Sequence, residues 1–549
     1  MAVVKRWTHE VDVVAVGSGA AGLTAAILAH DHGAKVLVLE STDRVGGSTA
    51  VSGGGVWVPT NHRMAEVGIQ DSRDEALAYC KTLTMGRADD ALVETYVDNA
   101  VQMIQYLESK TPLKFSPIVA PDYHPEVKGG KLGGRALEPV PFDTKTLGEW
   151  RSRLRPASAL AFPVTLQEVY GTFQAFYQPW KIPQDLLVQR MSEGLVCLGQ
   201  ALAGGLLKAV LDRRIPISLE TRALELIRDG ARVIGIHAQR GNEAIDIRAR
   251  GGVVLASAGF EWNESLKSRF LPGRVPVPNT PPCNFGDGLL MAMEVGADLA
   301  NMGEVWHYPS LHIPGETYDN RPLSRGIKAE RSGPHVIWVN RRGERFVNEA
   351  ANYNSVGKAF FAMEANEPSY RNVPAWAVFD QQYREKYAVG TTMPEDPDPA
   401  YVSRAHSLES LAAKAGVDAD RLQETVARWN GFSREGKDRD FGKGDSAFDR
   451  FQGAHEAKFP NFGTIEKPPF YALPVHPGAL GTKGGPRTNA MGQVMSVRNQ
   501  PIPGLYAAGN VAASVTGPSY YGVGSTLGPA LTFGYIAGLR VAEEARQHS

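Results

Sequence analysis

Cysteine is nearly absent. Cys80, Cys197 and Cys283 are the three among 549 residues, far apart and with no Cys-x-x-Cys pair or histidine cluster beside them. This argues against a disulfide framework, a zinc site or an iron–sulfur ligand set, and fits a reducing compartment. No run of about 18 uncharged apolar residues occurs, so no membrane-spanning helix is expected. Met1 to Val11 carries charges where a secretion signal would have an apolar core. The net charge of −1 gives no electrostatic case for nucleic acid. No internal repeat or low-complexity tract is evident. What remains is ordinary globular composition, 43% hydrophobic and 21% charged, in a chain longer than one core normally fills. A cytoplasmic enzyme of two domains is the starting expectation.

The first sharp pattern is strand, turn, helix, strand. Asp12 to Val16 is a β-branched run suited to a buried parallel strand. Gly17-Ser18-Gly19-Ala20-Ala21-Gly22 follows at once, Leu23 to His32 reads as a helix closed by Gly33, and Lys35 to Leu39 is a second strand ending at Glu40. A lone GxGxxG is weak evidence, but this context makes it a dinucleotide site. Gly17 permits the tight turn, Gly19 lets backbone approach a pyrophosphate at the positive end of the helix, and Gly22 allows close helix–strand packing. Glu40 is placed to accept hydrogen bonds from ribose hydroxyls. Val45 to Gly55, rich in small residues, reads as a loop suited to lying against a ligand. Leu92 to Lys110 has helical spacing, with Leu92, Tyr96, Ala100, Met103 and Leu107 on one core-facing stripe.

Two segments favour FAD over NAD. Arg44 to Thr49 and Gly504 to Asn510 resemble the stretches with which two-dinucleotide-binding flavoproteins cover the FAD phosphates and flavin ring. On that resemblance Gly47, Ser48, Gly509, Asn510 and Leu527 join Gly17, Gly19, Ala21, Gly22 and Glu40 as expected FAD contacts. There is no second GxGxxG for NAD(P)H, so electrons are expected to pass to an external acceptor. No histidine lies between Gly46 and Gly55, where covalent succinate dehydrogenases link their flavin, so non-covalent FAD is expected.

Over nearly its whole length the sequence resembles the fumarate reductase/succinate dehydrogenase flavoprotein superfamily, and within it the 3-ketosteroid delta-1-dehydrogenases. Pro121 to Glu126 with Gly129-Gly130 and Gly134-Arg135 is similar to that family's tyrosine-bearing loop. Arg345-Phe346-Val347-Asn348-Glu349 matches its RFxNE segment, with Tyr353 four residues on. Leu480-Gly481-Thr482-Lys483-Gly484-Gly485 matches its LGTKGG stretch. Ser519 to Gly524, running into Thr526 to Ala530, resembles its YPGPG-type turn, with Tyr521 and Val523 replacing the two prolines.

The resemblance implies roles. Where the fumarate reductases place a proton-delivering arginine, Tyr353 stands as a base for a C–H beside a carbonyl. The Tyr520 hydroxyl and Gly524 N–H are expected to hold the carbonyl oxygen as enolate charge develops. Tyr123 is expected to hydrogen-bond Tyr353 and favour its ionised form.

The implied substrate is a hydrophobic cyclic ketone, dehydrogenated at the 1,2 position of a 3-ketosteroid. A smaller ketone such as cyclohexanone, 4,5-dehydrogenation of a 5α-steroid, reduction of an enone and a flavin electron carrier remain as alternatives. Residues 156–183, with Phe162, Tyr170, Phe173, Phe176, Tyr177 and Trp180, could line an apolar pocket, touch a membrane or simply pack; Trp306 and Tyr308 are further pocket candidates. The expected fold is α/β: a Rossmann-like FAD-binding domain of the two-dinucleotide-binding type from residues 1–304 and 482–549, interrupted by an α+β catalytic/substrate domain from 305–481.

Overall fold

The computed structural model describes residues 7–159 and 161–548. The first six residues of the Met1–Val11 segment, and Leu160 of the aromatic segment, lie outside that range.

Apolar β-branched runs near both ends of the chain meet in one sheet. Its order is Gln493–Met495, Pro501–Ala507, Glu243–Leu255, His9–Val16, Val36–Leu39 and Ile217–Ser218. The strands from Pro501–Ala507 to Ile217–Ser218 run parallel, and their cores are buried on both faces, as parallel sheets require. Thr221–Asp229 and Arg232–Arg240 extend the sheet antiparallel from Glu243–Leu255.

One face is covered by the helix Ala20–Asp31 and the closing helix Leu527–Gln547. Their close contact needs glycine: a Cβ on Gly534 would lie 2.5 Å from the Ala21 carbonyl oxygen, and one on Gly538 2.4 Å from that of Ala25. The helix Asp90–Lys110 buries Leu92, Tyr96, Ala100, Met103 and Leu107, the stripe read from the sequence. Gly47–Ala50 forms a short helix inside the stretch expected to be loop; Gly46, at φ 116°, makes the sharp entry that a residue with a Cβ resists.

A second sheet, antiparallel, is formed by Val336–Asn340, Ala375–Asp380, Phe470–Val475 and Ser403–Ala405 in that order. The helices Leu408–Ala415 and Ala419–Glu435 cover one of its faces. The segment after its first strand carries Tyr353 at the start of the helix Tyr353–Ala359, capped by Asn352, whose side chain accepts from the Ser355 N–H.

Candidate active site

Parallel strands all end on one side of their sheet, and ligands of such folds bind there. Gly17 follows the first strand, Glu40 the second, Ala256 a third and Gly509 a fourth, and all four line one cavity of about 450 Å³. Gly17 sits at φ 106°, and a Cβ there would lie 2.5 Å from the Ala256 carbonyl oxygen. A Cβ on Gly22 would lie 1.9 Å from the Gly17 carbonyl oxygen, so the helix rests directly on the turn.

Gly19, by contrast, faces Thr49 Oγ1 alone, at 3.5 Å, and Gly47 faces nothing within 4 Å. Backbone is thus bare where a pyrophosphate must come close. Glu40 takes the Ser18 hydroxyl and N–H on one oxygen, at 2.5 and 3.2 Å, and the Thr42 N–H and hydroxyl on the other, both at 2.9 Å, so its carboxylate is fixed at the end of the second strand, on the cavity wall. Ala21, Ser48, Asn510 and Leu527 line the same cavity. The residues present fit a flavin dinucleotide.

At the other end of the cavity lie the tyrosines. Tyr123 donates to the Tyr353 hydroxyl at 2.8 Å. Tyr520 packs on both, ring centroids 5.1 Å from Tyr123 and 5.3 Å from Tyr353, and its hydroxyl shares a hydrogen bond with Thr526 Oγ1 at 2.9 Å. Gly524 lies at φ 94°, where a Cβ would come within 2.4 Å of the Gly55 carbonyl carbon. Its carbonyl takes the Trp57 and Gly528 N–H groups, while its own N–H has no partner among the described residues. Tyr123, Tyr353, Tyr520 and Gly524 all line the cavity.

Burial is the main influence on these phenols. It pushes Tyr353 well above the ordinary phenol range, and it raises Tyr123 and Tyr520 as well. Any ionised form of Tyr353 therefore depends on donors at its oxygen, and the Tyr123 hydroxyl is positioned as one.

Three supports hold this cluster through contacts that the sequence does not reveal. The Arg345 guanidinium, itself buried, pairs with Glu349 at 2.8 Å and Asp438 at 3.0 Å, and these partners hold both carboxylates below their usual range against burial. Arg331 donates to the Glu349 and Ala351 carbonyls, tying down the approach to Tyr353. Tyr521, standing where the resemblance has proline, is fully buried, its ring 5.2 Å from Trp57, while its carbonyl takes the Tyr79 hydroxyl at 2.6 Å and the Tyr123 N–H at 2.9 Å.

The aromatic segment divides. Tyr170 and Phe176 line the cavity; Tyr177 is buried, its hydroxyl donating to the Gln452 carbonyl; Phe173 packs in a small side cluster; Phe162 and Trp180 are exposed. Trp306 stacks edge-on against Tyr520, and Tyr308 against Tyr353 at 4.8 Å. Asn284, which links Ser48 to the buried Glu261, also lines the cavity; no local pattern marks it, because its partners are distant in sequence.

The family model described as "FAD binding domain" matches residues 12–527. The chain is 39% identical to a 4-oxocyclohexanecarboxylate 2-dehydrogenase of Sinomonas cyclohexanicum, over 97% of this chain and 93% of that one. It is 36% identical to a 3-oxosteroid 1-dehydrogenase of Mycobacterium tuberculosis, over 98% and 99%. Its fold superposes at a TM-score of 0.92, with 38% identity over 98% of this chain and 100% of the other, on a 3-ketosteroid delta1-dehydrogenase from Sterolibacterium denitrificans in complex with 1,4-androstadiene-3,17-dione. The chain belongs to the FAD-binding-domain family of flavoproteins and, within it, to the 3-ketosteroid delta-1-dehydrogenase family.

Proposed function

We propose that this protein dehydrogenates a cyclic ketone of the 3-ketosteroid type, introducing a C=C bond next to the carbonyl. The observation that carries the reading is the Tyr123–Tyr353 hydrogen bond beside a Gly524 N–H that has no partner among the described residues, in the same cavity. Tyr520 and Gly524 hold the carbonyl oxygen, so that enolate charge forms against fixed donors. Tyr353 removes the proton from the adjacent carbon, assisted by the donor at its oxygen. FAD, when bound, supplies the two-electron acceptor for the hydride of the next carbon. Non-covalent attachment is part of the proposal: acid denaturation should release the yellow chromophore, and colour left on the precipitate would contradict it. An external acceptor then reoxidises the enzyme. The reading is tested by adding a 3-ketosteroid to the yellow protein without oxygen; the flavin should bleach and a new conjugated enone appear.

In this proposal the catalytic work is divided between residues 1–304 with 482–549, which hold FAD, and 305–481, which supply Tyr353 and its scaffold. The two sheets support that division. An FAD-bound crystal structure with Tyr353 remote from the flavin ring would refute it.

A second reading has one observation in its favour. Lys328 lines the cavity, half-buried, and its amine makes neither an ion pair nor a hydrogen bond with a described residue. A ring ketone bearing a carboxylate, as in 4-oxocyclohexanecarboxylate, would complement it. If so, kcat/KM for that acid should exceed the value for cyclohexanone, and Lys328→Ala should abolish the difference.

Peripheral membrane contact is also part of the proposal. Phe162 and Trp180 are 64% and 43% exposed on the same segment that brings Tyr170 and Phe176 to the cavity, and Val188 and Met191, on the helix Gln184–Glu193 that follows it, are 65% and 67% exposed, which would suit uptake of a water-insoluble substrate. No helix among the described residues is long and apolar enough to cross a membrane. Co-sedimentation with phosphatidylcholine vesicles, lost on replacing Phe162 and Trp180 by serine, is the expected result; equal sedimentation of both proteins would remove the proposal.

A further inference from the structure

The Leu480–Gly485 stretch contains a charge that the reaction as described does not use. Lys483 is fully buried, yet no carboxylate among the described residues lies within ion-pair distance of it; Glu304, close by, is paired with Lys358 at 2.7 Å. The Lys483 amine instead donates to the Ser519 carbonyl at 2.5 Å, lies 3.4 Å from the Gly517 carbonyl and stands 4.2 Å over the Trp306 ring. Those partners are all acceptors, the set that suits an ammonium with three protons to place. Burial works against that form and pulls the group well below the ordinary lysine range. The charged groups around it are Lys358 and Glu304, with His307 held neutral by burial.

The contacts concern one loop. Ser519 immediately precedes Tyr520, whose ring lies 6.0 Å from the Lys483 amine and 4.9 Å from Trp306. Between the two carbonyls that Lys483 holds, the Pro518 carbonyl takes the side-chain amide of Asn354 at 3.1 Å, and Asn354 is the residue after Tyr353. Three successive carbonyls thus tie the Tyr520 loop to Lys483 on one side and to the Tyr353 helix on the other. A buried lysine that merely filled space would be replaceable by an apolar chain of equal length. One standing behind a donor to a forming enolate would not be.

We propose that Lys483 is a positioning residue for Tyr520, holding the Gly517 and Ser519 carbonyls that aim its phenol and setting a positive charge behind it. The inference rests on the reading of Tyr520 as a carbonyl donor. It is tested on FAD-loaded enzyme by anaerobic flavin bleaching with a 3-ketosteroid, comparing Lys483→Met alone and combined with Tyr520→Phe. Losing one donor to an oxyanion typically costs about 10²–10³-fold, and a residue acting through that donor less. Lys483→Met should therefore slow flavin reduction by about 10–100-fold, with substrate affinity within about twofold and FAD content unchanged. In the Tyr520→Phe background the same change should cost less than about threefold, since the group it serves is gone. Lys483→Gln, which keeps N–H donors without the charge, should fall between Lys483→Met and wild type. Wild-type rates in Lys483→Met, an undiminished loss in the double variant, or failure to retain FAD would each overturn the proposal. If Tyr520→Phe by itself is as fast as wild type, it is the role of Tyr520 that fails.

Discussion

The two ends of the cavity are built by different means. The dinucleotide end is made of backbone: Gly17, Gly19, Gly22 and Glu40 come from a single strand–turn–helix–strand unit, and its geometry depends on Cβ atoms that are not there. The tyrosine end is made of side chains gathered from distant segments; Tyr123 and Tyr353, 230 positions apart, share a hydrogen bond, and Tyr520 and Gly524 arrive from near the other end of the chain. At Gly17 and Gly22 the first end cannot accept a larger side chain without moving the sheet or the helix, and at Gly19 a side chain would stand in space the pyrophosphate needs. The second can lose a single oxygen and keep its shape. Substitutions should therefore abolish binding at one end and change only rates at the other.

Gly17→Val should have the largest effect. Its side chain would enter the Ala256 backbone, so the purified protein should carry no visible flavin absorbance; retention of FAD would break the contrast. Next comes the scaffold behind Tyr353. Arg345→Ala leaves Glu349 and Asp438 buried without their main partner, with Lys443 3.6 Å from Glu349 as the remaining cation. Removing one member of a buried ion pair typically costs about 3–5 kcal/mol, so thermal unfolding should begin at a distinctly lower temperature, with catalysis lost alongside.

Gly524→Ala acts on the one backbone group of the tyrosine end. The strained φ and the contact with Gly55 would displace the N–H, and loss of an oxyanion donor typically slows the chemical step by about 10²–10³-fold. Tyr123→Phe should have the smallest effect, below about tenfold at the optimum. It removes the donor at the Tyr353 oxygen and leaves the burial that already raises that phenol. The tyrosinate becomes harder to form, so the rising limb of the pH–rate profile should move to higher pH. A limb that stays in place would show that Tyr123 does not tune its neighbour.

The same contrast explains what could be read from the sequence. The Gly17–Glu40 unit was legible because strand, turn and helix signals sit side by side and each glycine has a local reason. The interrupted nucleotide-binding domain was legible in the strand and glycine patterns at both ends of the chain, while the membership of Tyr123, Tyr353, Tyr520 and Gly524 in one cavity followed from the family resemblance; their spacing alone says nothing, because the contacts are tertiary. Tyr521 shows the limit: the missing prolines were visible, but not that the tyrosine would be buried against Trp57 and hold the turn by its carbonyl. Lys483 was seen as part of a motif, but its partners Ser519 and Trp306 lie far from it in the chain. The aromatic segment 156–183 could not be assigned as a unit because its residues divide among cavity, core and surface, and no periodicity separates them.

The central claim is that Tyr353 takes the proton. Its direct test is anaerobic stopped-flow reduction of the flavin by a 3-ketosteroid in wild type and Tyr353→Phe, each carrying its full complement of FAD. A general base contributes about 10²–10⁴-fold, so the variant should bleach slower by that factor while binding the steroid with nearly unchanged affinity. Reduction at the wild-type rate would place the base elsewhere and contradict the account.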